Sequence, residues 1–450
     1  MEGRREFTVA VTVLDVVTAA LPVQEYWLPM SNLDLLLPPL DVGVFSCYRK
    51  TAKTDACFVS ILKKSLSDTL VAYHPFAGEV MSNSAGEPEL LCNNRGVDFI
   101  EARCDVGLAS LHLHDPNDSV MEKLMPKKKE GVLCVQATEL KCGSLVVACS
   151  FDHRVADAYS ANMFFVSWAE AARSIPFSSV PSFTRSLLSP RHPGFHDASI
   201  DNIYVPLCQL PPPRNTGAAE AASIDRIYYI TASDIARIQA IASAHGSRKR
   251  TKLEAFTSYL WQVLGGVRAA GSLCSMGVVV DGRERMQCSM DTYFGNVLSI
   301  PYATLAAEEL RGMSLVEVAD VVHGFIARAA TREHFMGLVD WVEAHRPNPA
   351  VSRICGVGGG DDGVAVVVSS GWRFPVSKLD FGWGRPVFAS YNFPWSCSAG
   401  YVMPMPSAMD DGDWVVYVHL AAELVAVLET AAGDVFRPVT ADYLGLTNDQ

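Results

Sequence analysis

The chain has 450 residues, 49% of them apolar and 19% charged, with a formal net charge of −12. That length and balance predict a globular protein of two domains, and the acidity argues against nucleic acid or an anionic membrane surface as a partner. Twelve cysteines are scattered without any Cys-x-x-Cys pair, which predicts reduced thiols in the cytoplasm and no disulfides, and no apolar run approaches membrane-spanning length.

Residues 7–17 alternate like a strand, with Thr8, Thr12 and Asp15 interrupting any leader-like apolar core. Pro38 and Pro39 mark a turn before a short strand containing Val42, Gly43, Val44 and Phe45. Residues 55–73 place Phe58, Ile61, Leu62, Leu66 and Leu70 on one helical face, and the helix must stop before His74 and Pro75. His112 and His114 alternate with Leu111 and Leu113, which reads as one face of an extended segment rather than a metal site. Asn117, Asp118 and Ser119 form a sequon that carries no meaning in a chain read as cytoplasmic. Residues 132–140 and 144–149 are apolar runs split by Lys141, Cys142 and Gly143, the pattern of a β-hairpin, and residues 158–173 look helical. Prolines at 181, 190, 193, 206 and 211–213 then mark an extended connection. This predicts a first domain over 1–180, a crossover over 181–225 and a second domain over 226–450.

The second half reopens with a strand over 226–230 and a helix with Ser233 as its cap, Ile235, Ile238 and Ile241 on one face, and Gly246 beyond its end. Arg248, Lys249, Arg250, Thr251 and Lys252 precede a helix in which Thr251 and Glu254 match a capping box, with Leu253, Phe256, Leu260 and Leu264 as its buried face. Cations beside unpaired amide donors at a helix N-terminus suit an anion such as phosphate. Strands are predicted over 276–281, 297–303, 364–369 and 414–420, and helices over 314–330 and 421–432. The order is mixed α/β. Residues 358–363 match Gly-x-Gly-x-x-Gly, but the strand follows the glycines and Asp361 and Asp362 would repel a phosphate, so they read as a loop.

Residues 150–160 place His153 and Asp157 four apart where a strand ends and a helix begins. No second His or Cys pair lies nearby in sequence to complete a zinc site, and no Gly-x-Ser-x-Gly elbow occurs for a serine hydrolase. Taken alone the pair reads as a half-buried histidine followed by an Asp helix cap. A second motif changes that. Residues 380–384 read Asp-Phe-Gly-Trp-Gly, and together with His153 and Asp157 the chain resembles the BAHD acyltransferases, plant enzymes that move acyl groups from coenzyme A. The resemblance extends through residues 73–78 (Tyr-His-Pro-Phe-Ala-Gly), 92–99, 281–283 (Asp-Gly-Arg) and 293–296 (Tyr-Phe-Gly-Asn). Residues 30–43, 152–164 and 402–407 look closest to coniferyl alcohol acyltransferases within that family.

The resemblance implies a two-domain α/β fold like that of chloramphenicol acetyltransferase, mixed sheets flanked by helices, and an active-site channel at the domain interface. It implies acyl-CoA as co-substrate rather than a resident cofactor, no metal, a small-molecule alcohol or amine acceptor, and a cytoplasmic monomer. His153 is the implied general base, with no acyl-enzyme. Asp157 is implied to pair with an arginine, Arg283 being the candidate. Asp380 is implied to be structural, with Arg285 a possible partner and Gly382 and Gly384 allowing a tight turn. Residues 248–252 would meet the nucleotide end of coenzyme A. The acceptor pocket would include Val42, Val44 and Ser46, together with Gly371, which aligns with a tryptophan of shikimate-using relatives, and Trp372. These departures favour an aromatic alcohol such as coniferyl alcohol over shikimate or quinate, although Arg353 would suit a carboxylate. An amine acceptor and a non-catalytic, regulatory member of the family are the competing readings.

Overall fold

The computed structural model describes residues 7–51, 58–210, 223–244, 248–286, 290–356, 363–394, 398–409 and 411–446. The first half is built on Leu145–Asp152, a strand buried at every position. It turns back from Leu133–Leu140 through Gly143, whose φ of 79° and N–H bond to the Leu140 carbonyl (2.7 Å) make the tight turn that the sequence predicts. Six strands lie side by side in the order Val9–Val17, Val97–Cys104, Leu133–Leu140, Leu145–Asp152, Asp41–Tyr48 and Phe388–Asn392. All neighbours are antiparallel except the second and third. The helices Phe58–Ala72 and Ala158–Ala172 join this sheet in one apolar core, and the Trp168 indole N–H bonds to the Leu62 carbonyl (3.1 Å) and the Ser65 hydroxyl (3.0 Å).

The sheets do not divide at the expected boundary throughout. Phe388–Asn392 comes from the second half of the chain yet completes the first sheet, pairing Tyr391 with Val44 and Asn392 with Gly43. Asp41–Tyr48 is buried almost throughout, so its free edge carries backbone groups that need partners, and this strand supplies them.

The second sheet has seven strands in the order Tyr302–Ala306, Leu273–Val278, Val364–Val368, Gly400–Pro406, Trp414–Ala421, Ser223–Ile230 and Arg437–Pro438. Its core also takes in the helices Ala232–Ala242, Lys252–Gly266, Leu315–Ala329 and Ala422–Ala431. Several local expectations change, and the strand expected over 276–281 is two strands, Leu273–Val278 in this sheet and Val280–Asp281 paired with Leu298–Ser299. Thr231, not Ser233, caps Ala232–Ala242, accepting the Asp234 N–H at 3.2 Å. The strand expected over 297–303 is two strands, Leu298–Ser299 and Tyr302–Ala306, separated at Pro301, which has no N–H to give a ladder. Gly246 and residues 358–362 lie outside the described residues. Among the described residues no helix is long and apolar enough to cross a membrane.

Candidate active site

Leu145–Asp152 delivers His153 to the junction of the two halves, where its backbone N–H bonds to the Leu40 carbonyl at 2.9 Å. The side chain is 9% exposed and lines a cavity of about 670 Å³ whose walls come from both halves of the chain. Phe393 meets the imidazole edge-on, with centroids 5.4 Å apart. Burial lowers the basicity of His153 below the ordinary histidine range, opposed in part by the Asp157 and Asp152 carboxylates. A neutral imidazole therefore faces the cavity.

Asp157 is the N-cap of Ala158–Ala172, accepting the Ser160 N–H at 2.9 Å. Arg283 meets it bidentately, through Nη1 to Oδ2 (2.7 Å) and Nη2 to Oδ1 (3.1 Å), with both side chains 1% exposed. Oδ2 also accepts the Val297 N–H at 3.2 Å. Each carboxylate oxygen thus has two donors, which fills the acceptor sites of the group. Arg283 further reaches the Gly295 carbonyl (2.8 Å), the Ser160 hydroxyl (3.1 Å) and Asp281 (3.3 Å), and lies over the Tyr159 ring at 4.5 Å. The pair ties the loop after His153 to the second half of the chain.

Thr251 and Glu254 form the capping box of Lys252–Gly266, with Thr251 Oγ1 accepting the Glu254 N–H (3.1 Å) and Glu254 Oε2 accepting the Thr251 N–H (2.7 Å). Of the five residues expected at the nucleotide, Arg248 and Thr251 line the cavity. Lys249, Arg250 and Lys252 do not. Arg250 instead pairs with Asp320 on Leu315–Ala329, while its backbone bonds to Ser243 Oγ (3.0 Å) and to Gln239 Nε2 (2.7 Å), so it ties that helix to the end of Ala232–Ala242. His323, which sequence alone does not single out because it lies within an apolar helical pattern, also faces the cavity, with Nδ1 2.6 Å from Glu254 Oε1. Burial works to raise the Glu254 carboxyl, but the Thr251 amide and His323 outweigh it and hold the group below its ordinary value.

The expected acceptor wall is corrected at three positions. Val42 and Trp372 line the cavity, whereas Val44 and Ser46 line a separate hollow of about 20 Å³ beside Trp168 and Phe381. All three strand residues share one face, but each step of two residues moves about 7 Å along the strand, which carries Val44 and Ser46 past the cavity. Gly371 does not face the cavity. Its N–H bonds to the Pro404 carbonyl at 2.9 Å, and a Cβ there would lie 2.8 Å from that oxygen and 2.4 Å from Met405 Cγ, so a tryptophan does not fit without displacing the neighbouring strand. Arg353 is also turned away, donating from Nε to the Asp201 carbonyl at 2.7 Å. In their place Tyr391, Phe393, Asn162 and Met403 form a largely apolar wall, with the Tyr391 hydroxyl donating to Asn162 Oδ1 at 2.8 Å.

Residues 380–384 stand outside the cavity wall. Asp380 Oδ1 accepts the N–H groups of Gly382 (2.8 Å) and Gly384 (2.9 Å), both at φ of 111°, a conformation that favours glycine. Arg285, considered as a partner for Asp380, lines the cavity instead. The turn buries Trp383 edge-on to Tyr48 (6.0 Å) and stacked on Phe381 (5.7 Å).

A model described as "Transferase family" matches residues 7–434. The chain belongs to that family, the BAHD acyltransferases, and is a coenzyme A-dependent acyltransferase. It is 29% identical to agmatine hydroxycinnamoyltransferase 1 of Oryza sativa subsp. japonica over 414 residues, covering 87% of this chain and 90% of that one. It is 25% identical to shikimate O-hydroxycinnamoyltransferase of Nicotiana tabacum over 425 residues, covering 91% and 95%. Among solved structures, F. graminearum TRI101 complexed with coenzyme A and deoxynivalenol superposes with a TM-score of 0.74 at 14% identity, covering 91% of this chain and 99% of that one. The fold is that of the two-domain coenzyme A-dependent acyltransferases.

Proposed function

We propose that the protein transfers an acyl group, acetyl or hydroxycinnamoyl, from coenzyme A to the hydroxyl of a phenylpropanoid-type alcohol such as coniferyl alcohol, with His153 as general base. The observation that carries this is a buried imidazole, kept neutral by its surroundings, on the wall of the cavity between the two halves. His153 takes the hydroxyl proton as the acceptor oxygen attacks the thioester carbonyl. The tetrahedral adduct then breaks its C–S bond, the coenzyme A thiolate takes the proton back from the imidazolium, and ester and free thiol leave. Such general-base help contributes about 10²- to 10⁴-fold. Arg248 and Thr251 at the helix N-terminus meet the anionic end of the donor. Asp157 with Arg283, and Asp380 with Gly382 and Gly384, hold the scaffold. In this reading the halves 1–180 and 226–450, joined by the crossover 181–225, act as two domains of a cytoplasmic monomer whose cavity is complete within one chain.

The acceptor reading rests on which charges the cavity leaves free. Among the described residues, its four carboxylates are engaged: Asp157 and Asp281 with Arg283, Glu254 with His323, and Glu284 with Arg373. A cationic amine finds no unengaged carboxylate there, and a buried ammonium without one is costly. With Val42, Tyr391, Phe393 and Met403 on it, the wall suits an aromatic alcohol better than a polyol. N-acylation is the second reading, favoured by the agmatine-named relative. The test is a matrix of acetyl-, benzoyl-, coumaroyl- and caffeoyl-CoA against coniferyl alcohol, shikimate, quinate, tyramine, agmatine and spermidine, read by mass spectrometry. Preferential turnover of coniferyl alcohol is expected. Preference for shikimate or quinate overturns the acceptor reading, and preference for amines replaces it with the second.

A further inference from the structure

His153 and Phe393 reach each other from strands that are not neighbours. Asp41–Tyr48 lies between Leu145–Asp152, which delivers His153, and Phe388–Asn392, which ends one residue before Phe393. Both outer strands run antiparallel to the middle one, so they end together beside its start, with Asn392 opposite Gly43 and Asp152 opposite Asp41. The two rings meet nearly perpendicular, with planes at 82° and centroids 5.4 Å apart. Phe393 is itself held on two sides. Its ring stacks on Tyr401, with centroids 4.3 Å apart and planes at 26°. Its backbone is held by Tyr417, whose hydroxyl donates to Asp225 Oδ1 at 2.6 Å, shares that proton with the Phe393 carbonyl at 3.2 Å, and accepts from Asn392 Nδ2 at 3.3 Å. Asp225 is buried, and His419 Nδ1 lies 2.7 Å from the same Oδ1. Tyr417, Asp225 and His419 stand outside the cavity wall, so their bearing on the site passes through residues 392 and 393.

We infer that Phe393 is a positioning residue for the base: stacked on Tyr401 and tied by its carbonyl to Tyr417, it fixes the plane of the His153 imidazole and keeps water off one side of it. The inference rests on the general-base reading above and adds the group that sets the ring. The bond from the His153 N–H to the Leu40 carbonyl fixes where the side chain starts and not its plane, because the outer torsion of a histidine is broad. A perpendicular aromatic neighbour narrows that freedom, and this one cannot turn without breaking its own stack. Burial is the main cause of the lowered basicity of His153, and Phe393 supplies part of that burial. The carboxylates that act on the imidazole stay in place when Phe393 changes, since Asp157 is paired with Arg283 and Asp152 with Arg154.

The first test reads the base without turnover, by NMR titration of ¹³C-labelled histidine in the intact enzyme, with the His153 signal assigned by its loss in His153→Ala. Burial disfavours the imidazolium, so opening that side to water in Phe393→Ala should raise the His153 pKa, by about one unit of the ~3–5 that complete burial can impose. The acid limb of kcat/KM should move to higher pH with it. In the same variant kcat should fall about tenfold to a hundredfold through lost orientation, with the KM for acyl-CoA within about twofold of wild type. Phe393→Leu restores apolar bulk without a flat ring, so the titration should return most of the way while kcat stays depressed. Tyr417→Phe keeps every ring and removes only the tie, and kcat should drop by about tenfold or less. A folded Phe393→Ala whose His153 pKa is unmoved or lowered overturns the inference, since a residue that only supports the scaffold would lower melting and leave the titration in place. Should Phe393→Ala not fold, wild-type kcat in both Phe393→Leu and Tyr417→Phe overturns it. His153→Ala retaining turnover would instead overturn the general-base reading and leave these titrations as they are, so the two failures are distinguishable.

Discussion

Asp157→Ala separates a structural carboxylate from a catalytic one. Its two oxygens already take four donors, from Ser160, Val297 and both Arg283 nitrogens, so no acceptor site is left for His153. Removing it leaves a guanidinium that is 1% exposed with only Asp281 at 3.3 Å as counter-charge, at up to about 3–5 kcal/mol, and removes a helix N-cap at about 1 kcal/mol. The sum is about 4–6 kcal/mol. Unfolding entropy near 2.1 cal/mol/K per residue over 450 residues is about 0.9 kcal/mol/K, so melting should drop about 4–6 °C. Differential scanning fluorimetry reads the shift, and acyl transfer below the transition reads the remaining activity. Asp157→Leu combined with Arg283→Met should recover much of the melting temperature lost by either single change, because the fully buried charges then go together and only the half-exposed Asp281 loses a partner. A melting temperature within about 1 °C of wild type with turnover abolished would refute the reasoning and make the carboxylate a direct partner of His153.

His153→Ala should lose about 10²- to 10⁴-fold in kcat with melting unchanged, and a variant keeping more than about a tenth of the turnover would end the general-base assignment. Because burial depresses the His153 pKa, the imidazole is neutral and competent at ordinary pH, so kcat/KM should decline only as pH falls below about 6.5. An acid limb at or above that value contradicts the environment described. Arg248→Ala should raise the KM for acyl-CoA by an amount that shrinks with salt, whereas Arg250→Ala should lower the melting temperature and leave that KM nearly unchanged. Steady-state kinetics at two ionic strengths decides, and the reverse pattern would restore the expectation drawn from charge alone. Gly371→Trp should depress soluble yield and melting, since even a Cβ there meets backbone oxygen at 2.8 Å, and a wild-type melting curve would show that the neighbouring strand yields freely.

What could be read from the sequence was what neighbours along the chain decide. The Gly143 turn, the capping box of Thr251 and Glu254, and the helix that begins behind Asp157 all depend on residues within four positions of one another. The helix Arg332–His345 escaped because it is buried at every position from His334 to Val342, with the polar His334 and Asp340 among the buried residues. Phe388–Asn392 escaped for the matching reason: five buried residues without alternation, held in place by a strand more than three hundred positions earlier.

The same division runs through the site. His153 and Asp157 were legible as a pair because both stand at one strand-to-helix junction. The wall facing them was not, because a period-two pattern states which face of a strand a residue occupies and not how far along the strand the cavity reaches. Val42 borders the cavity and Val44 and Ser46 overshoot it, although all three share a face. Arg250 makes the point with charge: a cation next to a helix N-terminus serves an anion only if its own carboxylate neighbour does not claim it first, and Asp320, seventy residues away, does.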